Sequence, residues 1–384
     1  MKNTKDKKKK KVKLSQIIMM LGFLLIGAFC GYWMGTYIGE LISGGEDAGD
    51  ALLRGLILFI GMYAAMFVQI ILHEGGHLIF GLLTGYGFAS FRVGSLMWKN
   101  ENGKLKFCRF SLAGTGGQCL MTPPEMVDGK MPYVLYNLGG SLVNLISAVL
   151  FGLLYLLCRD MPMVSILFMM LAVIGVAFAL MNGIPLGGVV NNDGHNAISI
   201  GKDPESMRAF WLQMKVNELT SAGVRLKDMP EEWFVLPSEE SMKNSMVATV
   251  GVFTCSRKID AMEFEAADEL MEKILTMDGV IDIYRKLLTM ERIYCELIGE
   301  CRREIVEKWL DKDLKRFMKA MKTNPSVIRA EYALAVLLDR DRERAETCLA
   351  AFEKVAKTHP HPVDIEGERE LIAYVDQLDA ARCI

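Results

Sequence analysis

Two histidines and a glutamate interrupt an apolar stretch of the chain, VQIILHEGGHLIF at residues 68–80. His73 and His77 are four residues apart, so in a helix both imidazoles emerge from one face, with Glu74 next to them. This H-E-x-x-H spacing provides two zinc ligands and a carboxylate that takes a proton from an activated water. The chain has only 5 histidines, so a chance match is improbable. A metal site is therefore favoured over the alternative, two buried histidines bonded to backbone carbonyls.

A third zinc ligand has to come from another part of the chain, because catalytic zinc normally takes three protein ligands and leaves its fourth position to water. Asp193, in the stretch MNGIPLGGVVNNDGHN at residues 181–196, is the best candidate, and His195 is the rival. Glycines and Pro185 prevent a continuous helix through this stretch. Broken backbone is tolerated at membrane depth where protein or a wet cavity surrounds it, so the break can bring Asp193 back toward the histidines.

Four stretches are long and apolar enough to cross a bilayer, which requires about 20 mostly apolar residues. They are Gln16–Leu41, Leu53–Leu83, Pro132–Cys158 and Met163–Met181. By contrast, residues 200–384 mix charged and apolar side chains as a water-soluble protein does. The chain is 51% hydrophobic with a formal net charge of only −2, so we predict the lipid bilayer and no nucleic acid as its partner.

The distribution of charge predicts the orientation in the membrane. The chain begins with a Lys-rich tail, MKNTKDKKKKKVK, whereas the loop after the first span, SGGEDAGD, is acidic. The loop at residues 86–130 is basic, so the positive-inside rule places it and both termini in the cytosol of a multi-pass cell-membrane protein. The first span is too long for a signal-peptide core and no A-x-A-like site follows it. Phe29 also fits poorly before a lipidated Cys30.

The predicted fold is an α-helical membrane protein with about four transmembrane helices, a short β-hairpin insertion and an all-α soluble domain. The domains are a basic cytosolic tail at residues 1–14, a membrane-embedded core at 15–203 and a cytosolic helical domain at 204–384. The hairpin is predicted from FASFRVGSLMW and LKFCRFSLAG, which flank an Asn102-Gly103 turn signal. The 9 cysteines contain no C-x-x-C pair, which argues against a disulfide framework or a cysteine-ligated zinc site.

The soluble half has features of paired helices. Pro325 and Pro360 bracket two predicted helices at nearly the 34-residue tetratricopeptide period, and residues 241–276 predict a similar pair. The Trp and Gly positions of the tetratricopeptide signature are missing, so a plain helical bundle is the alternative. We expect this half to select or gate substrates and to supply no catalytic group. The other reading is a domain needed only for folding.

Taken together, the motifs resemble the site-2 protease family of intramembrane zinc metalloproteases. The resemblance rests on H-E-x-x-H at residues 73–77, G-x-x-x-N at 140–144, and N-x-x-P at 182–185 leading to D-G at 193–194. It covers residues ~55–196 in the order typical of the family. Two features depart from the pattern: seven residues separate Pro185 from the aspartate where the family has about four, and a serine follows the first glycine of G-x-x-x-N.

The resemblance implies a role for each motif residue. His73, His77 and Asp193 would bind a catalytic Zn²⁺, and Glu74 would act as the general base. Asn144 would hydrogen-bond the substrate backbone or the developing oxyanion, the alternative being an interhelical hydrogen bond. The implied substrates are transmembrane segments of other proteins or peptides.

Two other functions compete with a protease of this kind. One is a catalytically inactive membrane scaffold of the same fold, which the intact Glu74 disfavours. The other is a conventional zinc peptidase tethered to the membrane. The apolar residues on both sides of His73 disfavour that reading.

Overall fold

The computed structural model is mostly helical and divides into two compact units. One unit comprises Met1–Gly76 and Gly140–His195, and the other comprises His77–Gly139 and Asn196–Ile384. The predicted domain boundary at residues 203 and 204 stays a prediction. The structure describes residues 28, 31–32, 35–36, 38–45, 47–101, 103–110, 116–185 and 191–382.

Within the described residues, three helices are long and apolar enough to cross a membrane: α1 (Ala48–Leu83), α2 (Val134–Leu157) and α3 (Pro162–Gly183). Their most apolar windows have mean hydropathies of 2.3, 2.0 and 2.7, so each suits a bilayer in composition as well as length. These helices match three of the four predicted spans. The first predicted span, Gln16–Leu41, lies for the most part outside the described residues.

These three helices expose apolar side chains over much of their surface. On α1, Leu52, Phe59 and Leu82 are all more than half exposed, whereas Leu58 and Ala65 are buried in a small core with methionines of α3. A helix that is apolar all round is typical of a membrane span, where lipid covers the outward side chains. Pro162 begins α3 at a position where its missing N–H costs no hydrogen bond.

The segment between α1 and α2 forms a four-stranded antiparallel sheet in the order β3-β2-β1-β4. The strands are β1 (Gly87–Val93), β2 (Leu96–Glu101), β3 (Lys104–Arg109) and β4 (Gly117–Thr122).

The predicted hairpin is confirmed as β2 and β3, with Gly103 at a left-handed φ of +77° in the turn and Asn102 outside the described residues. The stretch FASFRVGSLMW, however, forms two strands, because the chain turns at Gly94 with a φ of +59°. Strand β4 was not predicted.

The described residues that follow α3 are mostly helical. The predicted pair at residues 241–276 is confirmed as α6 and α7, and the pair between Pro325 and Pro360 as α11 and α12, with a π-helical turn at Leu334–Asp339. Whether these pairs are tetratricopeptide repeats stays a prediction. The helices are α4 (Asp193–Ser199), α5 (Pro204–Ser221), α6 (Ser245–Asp260), α7 (Phe264–Leu275), α8 (Asp282–Ile298), α9 (Arg303–Trp309), α10 (Lys312–Ala320), α11 (Pro325–Ala333), α12 (Arg342–Ala356) and α13 (Pro362–Arg382).

The second unit has one hydrophobic core that the sheet and the helical half share. Cys119 and Met121 of β4 are buried in the same cluster as Phe210 and Trp211 of α5. The Trp211 indole N–H donates to the carbonyl of Pro124 at 3.2 Å, which attaches α5 to the chain that leaves β4. The sheet is therefore part of the fold of the helical half.

Candidate metal site in the apolar helices

One face of α1 carries a row of buried polar side chains. Gln69, His73 and His77 follow one another at intervals of four residues, which places them on successive turns of the same face. Gln69 is fully buried, and His73, Glu74 and His77 are each exposed by less than a tenth. Buried polar groups are costly in apolar surroundings unless they have polar partners. The contacts of these side chains therefore indicate the role of this face of the helix.

The hydrogen bonds of Asn144 determine which nitrogen of His73 carries the proton. The Asn144 side chain is fully buried, and its Nδ2 donates to the backbone carbonyl of Gln69 at 3.0 Å. A carbonyl can only accept, so the amide NH₂ faces Gln69 and the amide oxygen faces His73. That oxygen lies 2.8 Å from His73 Nδ1 and accepts its proton. The other ring nitrogen, Nε2, then has the lone pair that metal ligation requires.

His77 is held as the same tautomer by a different partner. Its Nδ1 lies 2.8 Å from the backbone carbonyl of Tyr136, which again can only accept, so Nδ1 donates and Nε2 carries the lone pair. Metal-ligating histidines almost always donate their second ring N–H to a carbonyl or carboxylate in this way. Both histidines of the motif therefore present Nε2 as a ligand atom.

Asp193 completes the group. Its Oδ2 lies 3.2 Å from His73 Nε2, and the ligand atoms of His73, His77 and Asp193 all lie within 4.8 Å of one another. A lone pair and a carboxylate oxygen at this separation repel each other unless a proton or a metal cation lies between them. The cluster can therefore bind a metal ion, because a cation between these ligand atoms removes their repulsion.

A network at the end of α3 positions Asp193. Asn192 Nδ2 donates to the carbonyls of Met181 and Ile184, each at 2.7 Å, while its Oδ1 accepts from the backbone N–H of His195 at 3.0 Å. One side chain thus connects the last turn of α3 with the first turn of α4, where Asp193 is the first residue. Among the described residues, the metal-binding group includes Asp193 and not His195.

Glycines provide the space that the site requires. A Cβ on Gly140 of α2 would lie 2.5 Å from Cε1 of His73, so only glycine lets the imidazole lie against this helix. A Cβ on Gly194 would collide with the backbone carbonyl of Gly183, which means that the Asp193 turn packs directly on the end of α3. Close approach of backbones at small residues is the usual way in which membrane helices pack.

The structure places the sequence-predicted residues together and adds others. His73, His77 and Asp193 form one cluster, and Glu74 is buried beside the two histidines on α1. Asn144 makes interhelical hydrogen bonds, the alternative considered from the sequence, and its contact with substrate stays a prediction. Sequence reasoning missed the supporting roles of Gln69 and of the amide of Asn192. The position of a glutamine one turn before His73 was the available signal for Gln69.

The chain matches no protein-family model, no curated protein and no solved structure with which it was compared.

Proposed function

We propose that the protein is an intramembrane zinc metalloprotease, related to the site-2 proteases, which hydrolyses peptide bonds in or near transmembrane segments of membrane-bound substrates. One observation carries the proposal. His73, His77 and Asp193 bring three ligand atoms within 4.8 Å of one another, and both histidines belong to a 36-residue apolar helix that can cross a bilayer. A metal site in such a helix favours a substrate that itself lies in the membrane.

The donor set fits zinc. Two imidazole nitrogens and one carboxylate oxygen are ligands of the type that catalytic zinc takes, with a fourth position left for water. Two ligands at zinc distances of about 2.0–2.2 Å and a tetrahedral angle are about 3.3–3.5 Å apart. The 3.2 Å between His73 Nε2 and Asp193 Oδ2 is close to that value. Magnesium and calcium prefer sites made of oxygen ligands, so the two imidazoles disfavour them.

The protein's own residues then have distinct tasks. A zinc ion bound here supplies a Lewis acid that brings the pKa of a bound water down to around 7. Glu74 is buried next to His73 in the motif. It would take the proton of the attacking water and pass it to the leaving amine. Asn144 holds His73 in the ligating tautomer, and Asn192 holds the turn that carries Asp193.

The surroundings of the site support a membrane substrate. Apart from the motif, the helix that carries Glu74 has no charged residue between Arg54 and its C-terminal end, so its composition suits lipid surroundings. A transmembrane segment can approach through lipid. Exclusion of bulk water from the site would also strengthen each electrostatic contact with the reacting groups. The lipid bilayer is therefore proposed as the medium of the reaction, with both termini of the protease in the cytosol.

The competing function is an inactive scaffold, and a variant of Glu74 distinguishes the protease from the scaffold. Glu74→Gln removes the proton acceptor and leaves the ligands in place, so the purified variant should retain about one zinc and lose peptide hydrolysis. His77→Ala is the matched variant, expected to lose both zinc and hydrolysis. The measurement is zinc content together with cleavage of a membrane-peptide substrate in detergent or liposomes. A Glu74→Gln variant that cleaves as fast as the wild type would refute the proposed protease.

A further inference from the structure

A chain of buried hydrogen bonds runs through α3, α1 and α2 and ends on His73. Gln69 is at its centre, one turn before His73 and fully buried. Its Oε1 accepts from Asn144 Nδ2 at 2.7 Å and from Ser147 Oγ at 3.2 Å. Its Nε2 donates to the backbone carbonyl of Leu171 at 2.9 Å. Every polar atom of the Gln69 side chain is therefore used, and each partner belongs to a different helix from its own.

The chain of hydrogen bonds can run in only one direction. The carbonyl of Leu171 only accepts, so the NH₂ end of Gln69 faces α3 and its amide oxygen faces Asn144. That oxygen needs a donor, so the NH₂ end of Asn144 faces Gln69 and its own oxygen faces His73. Nδ1 of His73 then donates, and the Nε2 lone pair faces Asp193. Two backbone carbonyls, those of Leu171 on α3 and of Gln69 on α1, thus favour the same orientation of the Asn144 amide and the same protonation of His73.

We propose that Gln69 is a positioning residue of the metal site, which fixes the amide of Asn144 and through it the ligating tautomer of His73. The inference rests on the proposed function only in taking the cluster to be a metal site. The packing around Gln69 agrees with a dedicated role. A Cβ on Gly175 of α3 would lie 2.8 Å from Gln69 Nε2, so a glycine gives the amide the space to reach its carbonyl partner.

A purely structural role for Gln69 makes a different prediction. As a simple link between helices, its loss would lower the stability of the bundle without changing which nitrogen of His73 is protonated. As a positioning residue, its loss lets the amide of Asn144 turn over, because only the backbone carbonyl of Gln69 then remains to hold the NH₂ end. With the amide reversed, Asn144 would donate to Nδ1, and the proton would move to Nε2, where it blocks ligation.

The experiment measures metal binding by the full-length protein in detergent, with Zn²⁺ and Co²⁺ as the only ligands. Gln69→Leu removes both the donor and the acceptor. We expect zinc affinity, measured by chelator competition, to fall about 10-fold or more, as is typical when a partner of a metal-ligating histidine is lost. The absorption bands of bound Co²⁺ should change as well. Gln69→Glu in its neutral form keeps one acceptor and one donor of the same shape, so it should restore most of the affinity.

Two controls separate the outcomes. Ser147→Ala removes the hydroxyl that lies near Gln69 Oε1 and the backbone carbonyl of Asn144, but it leaves the side-chain bonds of Asn144 in place, so its zinc affinity should equal that of the wild type. Nitrogen-15 NMR of the metal-free wild type, with the His73 signals assigned by their loss in His73→Ala, should show the Nδ1–H tautomer. This measurement needs no variant at position 69, and an Nε2–H tautomer would overturn the inference even if Gln69→Leu does not fold.

The results distinguish this inference from the proposed function. A wild-type protein that binds no zinc would overturn both. A wild type that binds zinc, with a folded Gln69→Leu variant of equal affinity and an unchanged Co²⁺ spectrum, would overturn the role of Gln69 alone. An Nε2–H tautomer of His73 in the metal-free wild type would do the same. A loss of affinity in Gln69→Leu that Gln69→Glu restores supports the inference.

Discussion

Gly140→Ala is the smallest change that should disable the proposed metal site. The added Cβ would lie 2.5 Å from Cε1, 2.6 Å from Nδ1 and 2.8 Å from Nε2 of His73. Carbon atoms that are not bonded normally approach no closer than about 3.5 Å. The imidazole therefore has to retreat by about 1 Å, which is larger than the ~0.5 Å that a preorganised site tolerates.

The retreat affects two contacts of the ring. The Nδ1 bond to Asn144, now 2.8 Å, would lengthen or bend, and Nε2 would leave its position 3.2 Å from Asp193. Loss of the partner of a metal-ligating histidine typically lowers metal affinity about 10–100-fold. Because the ligand itself also moves in Gly140→Ala, we expect a loss at the upper end of that range, about 100-fold.

The assay is chelator competition for Zn²⁺ with the purified protein in detergent, and circular dichroism checks that the helices are retained. Gly152→Ala is the matched control, since Gly152 belongs to the same helix and a Cβ there meets nothing within 4 Å. Alanine favours a helix over glycine by up to about 1 kcal/mol, so the control should be at least as stable as the wild type. Equal zinc affinities of Gly140→Ala and the wild type would refute the reasoning.

Two further predictions concern single side chains. Asp193→Ala should weaken zinc binding more than His195→Ala, because only Asp193 belongs to the ligand cluster; the opposite ranking in a chelator competition would transfer the ligand role to His195. Arg329→Met should lower the free energy of unfolding by about 3–5 kcal/mol, because it leaves Glu291 and Glu368 without the buried guanidinium that both contact. Burial raises the pKa of Glu368 to about 7, so ionising it disfavours the folded state, and the Arg329→Met loss in thermal unfolding should be larger at pH 8 than at pH 5.

The sequence predicted those features that depend on local spacing. Apolar runs of about 20 residues predict membrane helices, because the thickness of a bilayer sets their length. The four-residue interval between His73 and His77 predicts that their side chains share a face, because the helix repeat is 3.6 residues. Asp193 is predicted for a different reason. Catalytic zinc requires a third protein ligand, and the glycine-rich break allows the chain to return toward the two histidines.

Other features depend on contacts between elements, which spacing does not reveal. The hydrogen bond between Asn144 and Gln69 joins residues 75 positions apart, and its partners are determined by how α1 and α2 pack. Similarly, the sequence does not reveal that the chain turns at Gly94, since an isolated glycine in a strand pattern does not distinguish a bulge from a turn. The sequence likewise does not show that the amide of Asn192 connects the ends of two helices.

The helical half contacts a residue that supports the candidate metal site. Tyr136, whose carbonyl accepts from His77, stacks on Tyr86 with ring centroids 4.8 Å apart and lies 6.3 Å from the ring of Phe210 in α5. Truncation after Lys202 would remove Phe210 and open the core that the sheet and helices share. We therefore expect truncation to weaken zinc binding even if the helical half only selects substrates, so a point variant is the better test.

Phe210→Ala should reveal this support. Removing a buried phenylalanine costs about 3–5 kcal/mol of unfolding free energy, and here the space opens beside Tyr136, so zinc affinity should fall as well. Phe352→Ala is the control: Phe352 is buried in the same core, and its ring contact is with Arg369. It should lower the unfolding temperature by a similar amount and leave zinc affinity unchanged below the transition. If both variants bind zinc as the wild type does, the support from α5 is absent; if both lose zinc equally, the effect is one of global stability. A loss confined to Phe210→Ala would mean that the helical half helps to hold His77 through Tyr136.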